Sequence, residues 1–150
     1  MLQEMRTEEL AKMKTQKQKI YEDWGGAWNT HQLEKYLSYV TNDIVYEDLP
    51  MAIVLHGKAE LKARTQDNFT AFPDFKMEFK SFLSSGNRVI SEWVMTGTFL
   101  GEVQSWGLKP TGKSFSVRGV SIIEFRGQKI RRQTDYYDGA TFLRQAGFMP

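Results

Sequence analysis

Asp135 is the residue that most needs a chemical explanation. It lies in a strand-like run that closes with Gln133-Thr134-Asp135-Tyr136-Tyr137-Asp138, the second arm of a hairpin that turns at Arg126-Gly127-Gln128. Aspartate has low strand propensity, so a carboxylate inside a half-buried strand asks for a role. In an apolar cavity it loses hydration, and its pKa rises toward the working pH. It can then serve as a general acid or base beside a carbonyl, or activate a water. The plainer reading is a buried acceptor with a structural task. Asp48 is the second carboxylate of interest. It follows Tyr46 on one face of a short strand, Ile44 to Asp48. Two nearby carboxylates raise one another's pKa. Its plainer reading is a turn beside Leu49-Pro50.

Side chains alternate along a strand. Arg131, Gln133, Asp135 and Tyr137 therefore share one face, and Ile130, Arg132, Thr134 and Tyr136 the other. In the first arm, Phe115, Val117, Gly119, Ser121 and Ile123 oppose Arg118, Val120, Ile122 and Glu124. Gly119 and Ser121 are small and uncharged, as the floor under a ligand needs to be. Competing chemistries lack their residues. There is no cysteine, no Gly-rich phosphate loop and no G-x-S-x-G elbow. The two histidines, His31 and His56, fall at helix starts or loops, and no metal site is expected.

Around these residues the pattern predicts a helix over 7–29, with Leu10, Met13, Ile20, Trp24 and Ala27 on its apolar face and Gly25-Gly26 loosening the last turn. Trp24 and Trp28, four apart, read as core or pocket wall. Asn29-Thr30 can cap a second helix over 31–40. The strand 44–48 stops at Leu49-Pro50, and a third helix covers 58–72. Strands follow from Phe75 and over 88–99, where Ser91, Trp93 and Met95 share a face. The loop 100–113 carries Trp106, which suits a lid, a dimer contact or simple packing. Asp138 can cap a last helix over 140–146 that ends at Gly147. Helices followed by strands mean α+β, with a curved sheet wrapped on the long helix and a concavity at one end.

The chain of 150 residues fits one domain, 1–150, with residues 1–19 as a helical extension. Aromatics at 13% suit a lined pocket as well as a core. A net charge of +2 is too small to argue for nucleic acid. Lys12, Lys14, Lys17 and Lys19 read as a solvated helix face, or as a contact for an anionic partner. No apolar run approaches membrane-spanning length and no signal-peptide core is visible, so a cytoplasmic protein is expected.

The motifs Asp43-Ile44-Val45-Tyr46, Ala71-Phe72-Pro73-Asp74, Pro110-Thr111-Gly112-Lys113, Val117-Arg118-Gly119-Val120 and Leu143-Arg144-Gln145-Ala146-Gly147 occur in an order and spacing that resembles the SnoaL-like polyketide cyclases. These belong to the cone-shaped nuclear-transport-factor-2-like superfamily, and the resemblance covers about residues 20–148. It implies a long helix on a curved sheet with mixed edges, an apolar internal pocket, and a homodimer through the sheet. It also implies an aspartate on the last strand acting as acid/base in ring closure, without metal or cofactor. Asp135 falls on that position. Gly119 and Ser121 stand where the cyclases carry polar partners, including a histidine. Tyr46-Glu47-Asp48-Leu49-Pro50 is also similar to the limonene epoxide hydrolases, in which Tyr46, Asp48 and Asp135 would match the water-holding residues. Those enzymes use an Arg and an Asp where Trp93 and Met95 stand here.

The expectation is a cofactor-independent enzyme moving a proton next to a carbonyl on a hydrophobic substrate. Asp135, Asp48 and Tyr46 would be catalytic. Gln133 would orient the substrate, and Trp24, Trp93, Met95, Val117, Gly119, Ser121 and Tyr137 would contact it. A ligand-binding protein without turnover, or a hydrolase built on Tyr46, Asp48 and Asp135, are the alternatives.

Overall fold

The computed structural model describes residues 14–150. The first part of the helix expected over 7–29, with Leu10, Lys12 and Met13, lies outside the described residues. Helix α1 spans Gln16–Asn29. Thr15 caps it, its hydroxyl accepting the Gln18 N–H at 3.1 Å. Tyr21, Trp24 and Ala27 recur at helical spacing and are buried. The helix runs through Gly25-Gly26 without loosening. Gly25 is buried because the Phe79 ring occupies the place of its Cβ, whereas nothing lies near Gly26.

Thr30 does not open the next helix, as its sequence suggested. Its N–H and hydroxyl both donate to the Gly26 carbonyl, at 3.1 and 2.8 Å, and close α1. His31 then takes a positive φ of 54° and stacks on Phe69 with centroids 4.1 Å apart. Helix α2 is consequently short, Leu33–Ser38. Strand β1 begins early and spans Val40–Asp48. After a turn comes a strand the sequence reading missed, β2, Ile53–His56, antiparallel to β1. Helix α3 spans Gly57–Ala71.

The remaining strands are β3 (Lys76–Ser85), β4 (Arg88–Thr98), β5 (Ser114–Arg126) and β6 (Lys129–Tyr137). Helix α4, Gly139–Ala146, is capped by Asp138, which accepts the Thr141 N–H and hydroxyl at 3.1 and 2.7 Å. Gly147, at φ 84°, ends it in the left-handed region that favours glycine. The six strands form one sheet in the order β2-β1-β6-β5-β4-β3. Only the β1–β6 pair is parallel, so the fold is α+β with a mixed sheet.

Alternation holds along β5, where Phe115, Val117, Ser121, Ile123 and Phe125 are all buried. It breaks in β6. The register shifts so that Glu124 faces Arg132 while Phe125 faces Ile130. The extra residue is Arg131, which the bulge turns out to solvent, away from the face of Gln133, Asp135 and Tyr137 on which alternation would put it.

Two apolar clusters result. One packs α1 and α2 on the sheet through Tyr21, Trp24, Tyr36 and Ile44. The other gathers Phe72, Phe75, Phe99 and Phe115. The segment 100–113 belongs to the second. Leu100 and Gly101 donate to the Ala71 carbonyl at 2.9 and 3.1 Å, and a 3-10 turn at Gln104–Trp106 lays Trp106 against Phe72 and Phe148. Trp106 is half-buried packing, not an exposed indole. No described helix is long and apolar enough to cross a membrane.

The adjacent glycines of α1 give opposite expectations. Gly26→Ala removes helix-interior glycine without a clash and should stabilise the fold by about 0.5–1 kcal/mol. Gly25→Ala displaces the Phe79 ring and should destabilise it by about 1–3 kcal/mol. Urea unfolding of both variants checks the sign.

Candidate functional site

Strand pairing brings the polar residues together. Parallel pairing sets Tyr46 beside Gln133 and Asp48 beside Asp135. Across the other edge of β6, Ser121 faces Asp135 and Gly119 faces Tyr137. One strand further on, Trp93 faces Gly119. Three adjacent strands thus converge on one carboxylate.

Asp135 is 8% exposed. Its Oδ1 accepts from the Ser121 hydroxyl at 2.6 Å and from Gln133 Nε2 at 2.7 Å, and the Tyr46 hydroxyl donates to Oδ2. Trp93 Nε1 donates to Ser121 Oγ at 2.7 Å. Indole N–H can only donate, so the serine proton is left to point at Asp135. Gln133 Oε1 is buried and unpartnered. Burial is the largest influence on Asp135 and pushes its carboxyl up to about 6. The hydroxyls of Ser121 and Tyr46 and the Gln133 amide pull it back, and the charge of Asp48 adds a last small rise. Burial, with Asp135's charge second, holds the Tyr46 phenol well above its ordinary range. Tyr46 is therefore a neutral donor.

Asp48 makes a separate pair. Tyr137 donates its hydroxyl to both carboxylate oxygens, at 2.8 and 3.0 Å, and the Met51 N–H donates to Oδ1 at 3.3 Å. Burial pushes the Asp48 carboxyl up, and the Tyr137 and Met51 donors oppose it. Asp48 both makes the turn and faces the cavity. Tyr46–Asp135 and Tyr137–Asp48 are two pairs rather than a trio around one point.

Both pairs open on a cavity of about 340 Å³ where the two apolar clusters meet. Tyr46, Asp48, Gln133, Asp135 and Tyr137 line it, as do Trp24, Trp93 and Met95. Val117, Gly119 and Ser121 lie behind its wall instead. Val117 is buried in the second cluster. Gly119 makes room for a protein ring rather than a ligand, since the Trp93 indole fills the place of its Cβ. Ser121 is wholly buried beneath Asp135. Neither histidine lines the cavity, and no three described carboxylate or imidazole groups converge as metal ligands.

Three ionisable side chains of the lining were missed by sequence reasoning. Tyr21 and Tyr36 are buried phenols whose pKa burial raises and Asp135's charge raises further. Arg64 lines the cavity with its guanidinium carbon 5.1 Å from the Trp106 ring centroid. A signal existed: Arg64 lies three residues after Leu61 and four before Asn68, on the apolar stripe of α3.

The raised pKa has a stability consequence. The folded chain keeps the Asp135 proton up to about pH 6, while the unfolded chain releases it near pH 4. Folding stability attributable to this group therefore falls as pH rises through that window and is flat above it. Asp135→Asn should gain on the wild type by about 2–3 kcal/mol between about pH 4 and pH 7. Carboxyl carbon NMR should place the wild-type midpoint near 6, and Ser121→Ala should move it higher. A midpoint near 4 would contradict the burial argument.

Comparisons with known proteins find the same fold. AclR, a proposed hydroxylase from Streptomyces galilaeus, superposes with a TM-score of 0.75 at 25% identity, covering 89% of this chain and 97% of its own. A proposed polyketide cyclase from Pseudomonas putida gives 0.72 at 18% identity, covering 89% and 99%. A protein of ketosteroid isomerase-like fold from Catenulispora acidiphila, bound to trimethylamine, gives 0.74 at 20% identity, covering 87% and 93%. No curated protein matches the chain in sequence. The profile of the SnoaL-like polyketide cyclases matches residues 15–146, and the chain belongs to that family.

Proposed function

We propose that this protein is a cofactor-independent acid/base enzyme that moves a proton next to a carbonyl on a hydrophobic small molecule. The observation that carries the reading is Asp135, a carboxyl raised to about 6 in the wall of an aromatic cavity. A base with a pKa near the working pH combines a populated ionised form with real driving force. A carboxylate has about four acceptor directions, and three of them are filled. The free direction is on Oδ2. There Asp135 takes a proton from the carbon beside the carbonyl. The C–H electron pair passes into the carbonyl oxygen as an enolate. Protonation of Oδ2 frees the Tyr46 hydroxyl, which turns to donate to the new oxyanion. Ser121 and Gln133 hold Oδ1 and so fix the plane of the carboxyl. Membership of the polyketide cyclase family supports an enolate as the species formed.

A second reading has its own observation. Three structural donors on one carboxylate also suit a binding protein whose aspartate only holds its wall together.

Deuterium exchange into 2-tetralone, followed by mass spectrometry, separates the two. The enzyme reading expects exchange above the buffer rate, rising with pH through about 6 as Asp135 ionises. Asp135→Asn should lower that rate about 100-fold or more with ketone binding unchanged. Binding without exchange would leave the binding-protein reading standing, and undiminished exchange in Asp135→Asn would remove Asp135 from the chemistry.

A further inference from the structure

Arg64 supplies the only cation among the lining residues. The rest of the wall is aromatic or aliphatic, apart from the two carboxylates and a few neutral polar groups. Among the described residues the Arg64 guanidinium has no ion-pair or hydrogen-bond partner. Asp48 lines the same cavity, and Arg64's charge does pull its carboxyl down. Yet the oxygens of Asp48 are occupied by Tyr137 and the Met51 N–H. Glu102, the one carboxylate of the 100–113 segment, pairs with Lys109 at 3.6 Å. Arg64 is held instead by its 5.1 Å contact with the Trp106 ring. The ring gives the guanidinium N–H groups no oxygen acceptor, and such groups match a carboxylate in a planar fork. Asn68, one helical turn along α3, also lines the cavity, and its side-chain amide has no hydrogen-bond partner among the described residues. Beside them Leu108, 42% exposed, marks the rim.

We infer that Arg64, held over Trp106 and helped by Asn68, is a specificity-determining site for the carboxylate of an apolar, aromatic acid whose ring system fills the cavity. The inference rests on the cavity being a small-molecule site, but not on turnover at Asp135. A carboxylate there replaces the guanidinium's lost water with two charge-assisted hydrogen bonds. An ester of the same acid is an uncharged acceptor and forgoes the ion pair.

The test compares 2-naphthoate with methyl 2-naphthoate at pH 7, by calorimetry and by quenching of tryptophan fluorescence. In the wild type the acid should bind about tenfold more tightly than the ester, and the margin should shrink with added salt. Arg64→Met keeps the apolar stem over Trp106 and should erase the margin, weakening the acid far more than the ester. Asp135→Asn removes a negative charge from the same cavity and should leave the acid preferred over the ester, so failure of the catalytic reading and failure of this one are told apart. Equal binding of acid and ester by the wild type, no binding of the acid, or an acid preference that survives Arg64→Met would each overturn the proposal.

Discussion

The structure turns on the burial of one carboxylate. An ionised carboxyl removed from water without partners is too costly for a domain of this size to tolerate, so it must be met by donors or take up a proton. Asp135 does part of each. Its three donors come from three strands: Ser121 on β5, Gln133 on its own β6, and Tyr46 on β1. That set exists only because β6 lies between β5 and β1. The parallel pairing of β1 with β6 follows from the same need, since it sets Tyr46 and Asp48 beside Gln133 and Asp135. Separating these strands would strand a buried charge, so the sheet order and the site are stabilised together.

Behind the donors stands a packing layer that makes their geometry specific. Trp93 reaches Ser121 only because Gly119, directly across the β4–β5 ladder, has no side chain in the way of the indole. The indole N–H then orients the serine hydroxyl, and the serine orients the carboxyl. A large apolar side chain in the wall thus sets a proton's direction two residues away. The cavity survives because the two apolar clusters are braced from different sides: α1 and α2 over one, and α4 with the 100–113 segment over the other. The hollow is what neither can fill.

Much of this was legible in the residues themselves. Alternation along β4 and β5 sorted their side chains into two faces that hold, because both strands keep their register across the whole β4–β5 ladder. The cap at Asp138 and the stop at Gly147 follow from local chemistry and hold. What was not legible depends on contacts distant in sequence. Arg131 faces outward because of a bulge opposite Glu124 and Phe125, and nothing in the composition of β6 announces it. β2 is four residues long, follows a proline turn, and is a strand only because β1 offers it an edge. Gly25 and Gly119 looked like weak points or ligand space. Each is a gap for one ring, Phe79 or Trp93, that only folding brings there.

The charged groups of the cavity divide by setting, and the division decides how a molecule would lie. Asp135 and Asp48 have their oxygens largely occupied by donors from the sheet and the turn beside it. Arg64 stands on α3 against Trp106, with its N–H groups uncommitted. An apolar wall gives affinity without direction, since burial of apolar area is indifferent to orientation. Orientation must then come from the few polar groups, and Arg64, the charged one among those left uncommitted, dominates, because committed groups gain little by exchanging one partner for another. A ligand held at its anionic end by Arg64 presents its remaining atoms to the aromatic walls and to Asp135. The guanidinium would then select which molecule enters and the carboxyl would act on it, and a substitution at either could alter one property while sparing the other.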